Sequence, residues 1–294
     1  MKSTLALIKR EYLEHRGAFL YAPAVILGLL VIAMALAFVS GRSRIGMASS
    51  LPSLQKFFEA AYGAFAGLWW FYLLIALFFY FADAFNADRR NNSMLFWKSM
   101  PQSDFKILGS KMAAGMTLFP ALILVAAMIT GVLAYVATVL AGTILPNVVV
   151  PDVFVAVGAF TQVTLAALAS FVLGLLWYAP YFAWVGGLST LVGRWSIPLA
   201  FLIPGFVVLL ENLLLREGGP QAGYVWAFLS TRSDFGLEWP TFAALTVSNN
   251  AFSAMAYLST LLTSIDWVSM AGGWVFAVAL IYLASEYRRR IIAA

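Results

Sequence analysis

Cysteine is absent from this chain of 294 residues, and histidine occurs once, at His15. Without cysteine there is no disulfide, no haem thiolate and no iron–sulfur cluster. A lone imidazole is too little for a His-based metal site or a Ser-His hydrolase. Charge is scarce too: 11% of the residues are Asp, Glu, Lys or Arg, where a soluble domain carries roughly 25%. Motifs that would carry chemistry are missing as well: GxSxG, HExxH, a paired intramembrane Asp motif and the GxxxxGKS/T phosphate loop. Gly109-Ser110-Lys111 matches only the tail of a phosphate loop. It lacks the upstream glycine and leads into an apolar run, so it reads as a small-residue helix start. A polytopic membrane enzyme is disfavoured because no nucleophile–base set can be assembled.

What is present is apolar: 63% hydrophobic residues and a mean hydropathy of +0.89. Such a chain cannot coat a water-facing surface, and the expected fold is an all-α integral membrane protein. No polar stretch is long enough to fold independently, so residues 1–294 form one transmembrane domain. Met1 to Arg16 has an apolar stripe (Leu5, Ile8, Tyr12) beside Lys9, Arg10, Glu14 and Arg16. That pattern predicts a helix lying in the membrane interface. The first apolar run that follows is too long for a signal core and is expected to be retained.

Six membrane spans are expected, at 18–39, 60–82, 112–145, 153–178, 196–215 and 267–287. The third is longer than a perpendicular crossing needs and should tilt or break near Pro120 or Gly131. Residues 153–192 are uncharged, and Pro180 with Gly186-Gly187 is expected to break the helix before a turn at Arg194. Residues 216–266 mix polar and apolar stretches and are expected to form an external segment that partly re-enters the membrane. With both termini cytoplasmic, 13 of the 18 Lys and Arg residues lie inside. This is the bias of the positive-inside rule, and it makes the net charge of +5 a matter of topology rather than nucleic-acid binding.

Between the second and third spans lies Asn86 to Lys111, with basic residues at Arg89, Arg90, Lys98, Lys106 and Lys111. Inside it, Met94, Leu95, Phe96 and Trp97 form a short apolar face closed by Pro101. Proline disfavours helix at the residue before it, and Ser103 can cap a new helix. A short amphipathic helix in a cytoplasmic loop is the result. The stretch Asp88 to Asp104 resembles the first cytoplasmic loop of bacterial ATP-binding-cassette (ABC) transporter permeases of the type-2 exporter superfamily. Ile8 to Glu14, IKREYLE, is similar to the connecting helix that opens those proteins.

The resemblance implies a bacterial inner-membrane permease subunit, non-catalytic and often a two-fold dimer, either a homodimer or paired with a paralogue. Two copies of a separately encoded cytosolic ATPase would bind ATP and Mg, with no cofactor in this chain. The loop helix would dock on that ATPase through Arg89, Arg90, Met94, Phe96, Trp97, Lys98, Pro101 and Asp104. For Phe96 and Trp97 an interfacial aromatic belt is the competing reading. For Arg89 and Arg90 it is orientation and contact with lipid headgroups. Asp83 and Asp88 read as caps or neutralisers of neighbouring basic residues.

In the spans, Phe65, Trp69 and Tyr72 either line a pathway for an amphipathic substrate or pack. Pro198 and Pro204 mark a place to bend. Ala166, Ser170 and Gly174 stand four residues apart and allow close helix approach. Glu211 is the acidic residue well inside an apolar run, read either as a proton or gating group or as a carboxylate snorkelling to the external interface. The cargo implied is lipid-like, peptide or drug-like, moved outward. The rival is an ATP-independent secondary transporter or a membrane assembly subunit using Glu211.

Overall fold

A computed structural model describes residues 2–40, 53–90, 103–144, 150–214, 223–233, 235 and 250–290. All regular structure among them is helical: α1 (Lys2–Arg16), α2 (Ala22–Val39), α3 (Leu54–Arg90), α4 (Asp104–Ala113), α5 (Phe119–Ile144), α6 (Val153–Val192), α7 (Ser196–Leu214), α8 (Gly223–Ser233), α9 (Ala254–Ser264) and α10 (Trp267–Arg290). Five helical runs among the described residues are long and apolar enough to cross a membrane, where six spans were expected. They are Thr4–Val39, Leu54–Asp88, Asp104–Thr143, Val153–Leu214 and Trp267–Arg290. The difference lies in the fourth run, which contains both α6 and α7.

Within that run, the expected break at Pro180 and Gly186-Gly187 does not occur. α6 continues through all three residues to Val192, 40 residues in all. Apolar packing on both sides holds Pro180 in the helix despite the missing N–H. The turn expected at Arg194 is present, and it begins at Gly193, whose φ of 59° and ψ of −122° an L side chain rarely adopts. A short 3₁₀ turn, Gly193–Trp195, then leads into α7.

Two π-helical turns join the helices expected to be separate or broken. Gly17–Tyr21 links α1 to α2, and Ala114–Leu118 links α4 to α5. In each case a proline, Pro23 or Pro120, follows two residues after the turn. A proline ring crowds the carbonyl one turn back and supplies no N–H, and a widened turn relieves both problems. The break expected near Pro120 or Gly131 does not occur: the helix widens at Ala114–Leu118 and runs on through both residues. The first widened turn meets the start of α5, with Phe19 stacked on Phe119 at a centroid distance of 3.9 Å.

α3 is the central element, packed along α6 and α5, with α10 against the other side of α6. Its residues Leu73, Leu77, Phe81 and Phe85 recur every four positions, and all four are buried in the main core. Aromatic side chains of α3 seat on glycines of its neighbours: Phe81 on Gly115, Tyr62 on Gly131, Trp70 on Gly174 and Phe85 on Gly186. A Cβ at Gly174 would lie 2.5 Å from the Trp70 ring. The close approach expected of the small-residue row thus occurs at Gly174. α3 also starts six residues earlier than the expected span and continues to Arg90, so Lys56, Glu59 and Asp88 belong to it.

Candidate functional site

At the C-terminal end of α3 the structure gathers side chains from four helices into a buried charge cluster. Asp88 of α3, Glu11 of α1, Lys111 of α4 and Arg288 of α10 are each no more than 2% exposed. Lys111 Nζ donates to Glu11 Oε1 at 2.9 Å and lies 3.8 Å from Asp88 Oδ2. Arg288 donates to Asp88 Oδ2 at 3.3 Å, and its Nε lies 3.3 Å from Asp104 Oδ1. Arg10 Nη2 approaches Asp88 Oδ1 at 3.5 Å. The Tyr80 hydroxyl is placed against Glu11 Oε2 and the Lys111 carbonyl, at 3.0 and 3.1 Å. Formal charge balances, with Arg10, Lys111 and Arg288 against Glu11, Asp88 and Asp104. Burying so many ions is tolerable only because each has partners of opposite sign, and removing one partner is far costlier than removing a pair.

Local sequence positions these groups. Leu7 and Glu11 are buried four residues apart along α1, with Phe19 buried in the turn after it, so Glu11 sits on the packed face, while Leu5 of the expected stripe is 64% exposed. Ser103 has extended backbone, and its hydroxyl accepts from the Lys106 N–H, starting α4 at Asp104 as expected. Asp104 is then held in the first turn, beside the free backbone N–H groups that favour a carboxylate. Arg288, in the basic last turn of α10, turns inward and reaches the Phe85 carbonyl as well as Asp88 and Asp104.

The expected docking residues Met94, Phe96, Trp97, Lys98 and Pro101 lie outside the described residues, as does the side chain of Arg89. Arg90 is exposed and pairs with Asp83, the neutralising role expected of that aspartate. Asp88 does otherwise: its partners come from α1, α4 and α10. Among the expected pathway residues, Trp69 is buried and donates to Thr130 Oγ1 at 2.9 Å. The Tyr72 hydroxyl donates to the Ala18 carbonyl. These bonds tie α3 to α5 and to the widened turn after α1. Phe65 is half-buried, and Pro204 lies inside α7 without ending it.

Glu211 has an occupation that neither sequence reading contained. Its Oε2 accepts the Val225 N–H at 2.8 Å in the first turn of α8, where backbone donors have no partner within the helix. Arg232, within the segment expected to be external and partly re-entrant, is 1% exposed. Its guanidinium lies over the Trp177 ring, 4.4 Å from the centroid, and donates to the Ser269 carbonyl at 2.8 Å. At the N-terminal end of α3, Lys56 and Glu59 form a second buried pair at 2.8 Å. Glu59 Oε2 also accepts the Phe252 N–H at 3.1 Å.

Glu11, Glu14 and His15 bring three possible ligand atoms within 4.8 Å of one another. Both carboxylates already hold a cation, Lys111 on Glu11 at 2.9 Å and Arg10 on Glu14 at 2.6 Å. The cluster's chemistry is mechanical: it locks four helix ends together through charge. Its residues were all visible in the sequence, but the signal that could have found them was faint, a charge placed at helical spacing on an apolar face. Comparison with known proteins finds no matching family model, no matching curated protein and no matching solved structure.

Proposed function

We propose that this chain is the membrane-spanning subunit of an ATP-driven exporter, worked by two copies of a separately encoded cytosolic ATPase. In this reading α6 and α7 cross the membrane separately, giving six spans with both termini cytoplasmic. α8 and α9 then belong to an external, partly re-entrant segment. A second permease copy, identical or paralogous, completes the pathway, and the cargo is lipid-like, peptide or drug-like.

The observation that carries the proposal is the double attachment of Arg288. Its guanidinium meets Asp88 near the end of α3 and Asp104 at the start of α4. These two helices flank residues 91–102, the loop that resembles an ATPase-docking helix. Asp88 is joined in turn to Arg10, and Lys111 to Glu11. A displacement of that loop by a partner would therefore be felt at α1, α3, α4 and α10 together. Phe96 and Trp97 supply the anchors, since aromatic side chains give much interface energy per residue. The rival secondary transporter rests on Glu211, and that carboxylate is engaged at the start of α8.

The test is co-purification with a phosphate-loop ATPase encoded beside this chain, comparing wild type with Phe96→Ala/Trp97→Ala. Loss of the ATPase from the double variant supports the docking role. Undiminished binding by the double variant, or substrate flux by this chain alone in a liposome, overturns it.

A further inference from the structure

Between α3 and α6, just beyond the Lys56–Glu59 pair, lies a cavity of about 480 Å³. Its floor is formed by Val163, Ala166, Ala167 and Phe171 of α6, with Trp70 of α3 on one side. Phe252 and Tyr257 close the end nearest the Glu59 cluster, and Phe235 lies against Trp70 and Tyr178 at the other. That closure is fastened by hydrogen bonds rather than by packing alone. Glu59 accepts the Phe252 N–H, Gln162 Oε1 accepts the Ala254 N–H at 2.8 Å, and the Ser170 and Tyr257 hydroxyls meet at 2.7 Å. The opposite wall is the rim of α3, where Ala64, Gly67 and Leu68 line the cavity and are also exposed on the outside of the bundle. Leu68 is 62% exposed. The cavity thus opens sideways through a rim of small and aliphatic residues, on a helix long and apolar enough to lie in the membrane.

We infer that this cavity takes a single acyl chain, entering laterally from the bilayer across Ala64 and Gly67 while the polar head stays outside near the Lys56–Glu59 end. Three features choose this occupant. The volume falls in the range of small-molecule sites, roughly 300–1,000 Å³. No charged residue is among the described lining, and a phosphate or ammonium head placed among those residues would have no counter-ion. And Gly63, at one end of the lining, follows Glu59 by four residues, about 6 Å along α3, so a head group held outside Ala64 lies toward the N-terminal end of α3. The lining's few hydroxyls are engaged, Ser170 with Tyr257 and Tyr178 with the Ser233 carbonyl, so the space receives a body without charge. A role for this chain-binding site in export rests on the function proposed above. Binding itself is tested without any ATPase, so failure of one reading leaves the other standing.

The full chain is placed in phosphatidylcholine nanodiscs and irradiated with palmitic acid carrying a diazirine in its chain. A parallel arm uses phosphatidylcholine carrying the same chain. Peptides covering residues 63–70 and 163–171 should be labelled several-fold above the exposed face of α2. Gly67 has open space where a side chain would begin, as does Gly28 on α2. Gly67→Phe should lower labelling of these peptides about five-fold, and Gly28→Phe should not. Ala64→Phe, on the same exposed rim, provides a second block should Gly67→Phe fail to fold. Stronger labelling in the fatty-acid arm identifies a free amphiphile as the occupant, and stronger labelling in the phosphatidylcholine arm identifies a membrane lipid. Labelling no higher than on α2, or unchanged by both blocking substitutions, overturns the inference.

Discussion

Lys111 Nζ and Glu11 Oε1 lie 2.9 Å apart across 100 residues of sequence, both side chains buried. Neither charge is tolerable in that position without the other, so the pair fixes where α1 sits against α4.

Removing one member should therefore harm the fold more than removing both. Lys111→Met leaves the Glu11 carboxylate buried without its closest cation, an effect of about 3–5 kcal/mol for a broken buried pair. Thermal unfolding in detergent should show a large fall in Tm for Lys111→Met and for Glu11→Gln a smaller one. The double variant Glu11→Gln/Lys111→Met should recover most of the loss. A double variant as unstable as Lys111→Met alone would refute the pairing.

The seat of Trp70 on Gly174 gives a packing test. Gly174→Ala puts a methyl 2.5 Å from Trp70 Cζ2, closer than real contacts allow. Overpacking of this kind should destabilise by roughly 1–3 kcal/mol. Trp70→Leu in the same chain should return much of that stability, because contacting residues are not additive. Simple additivity of the two substitutions would show that the contact is not made.

Glu211→Gln and Glu211→Ala separate a helix-end acceptor from a proton carrier. Glutamine keeps an oxygen to accept the Val225 N–H, whereas alanine leaves that donor unmatched, at about 1 kcal/mol. Stability measurements should rank Glu211→Gln near wild type and Glu211→Ala below it. Reconstituted transport should be equally insensitive to Glu211→Gln. Abolished flux with unchanged stability would restore the proton-carrier reading.

The absence of cysteine makes topology directly measurable, since the wild-type chain gives no thiol background. Thr263 in α9 and Arg289 in α10 are both exposed. In right-side-out membrane vesicles an impermeant maleimide should label Thr263→Cys at once and Arg289→Cys only after lysis. The reverse order would invert the orientation drawn from the basic residues and remove the docking loop from the cytoplasm.

Membrane character, helicity and the start of α4 at Ser103 were legible in the sequence because each depends on short-range properties. A run of apolar side chains favours hydrocarbon whatever lies beside it, and a serine hydroxyl caps the helix that follows it. At Pro120 the missing N–H widened the turn just before it rather than producing the break expected there. The break wrongly expected at Pro180 had the same local signal. There, packing on both sides of α6 outweighed it, and the helix ran on to the expected turn beside Arg194, which starts at Gly193, where positive φ costs little.

The amino-acid sequence by itself determined that this chain is an all-helical protein with several helices suited to a membrane, since transfer of a side chain into hydrocarbon needs no partner. Only the tertiary structure decided which charges are buried and what they do. Arg288 joins Asp88 and Asp104, Arg232 lies on Trp177, and Glu211 receives the Val225 N–H. A buried ion is stable only opposite its counterpart, and those counterparts come from distant parts of the chain that folding brings together.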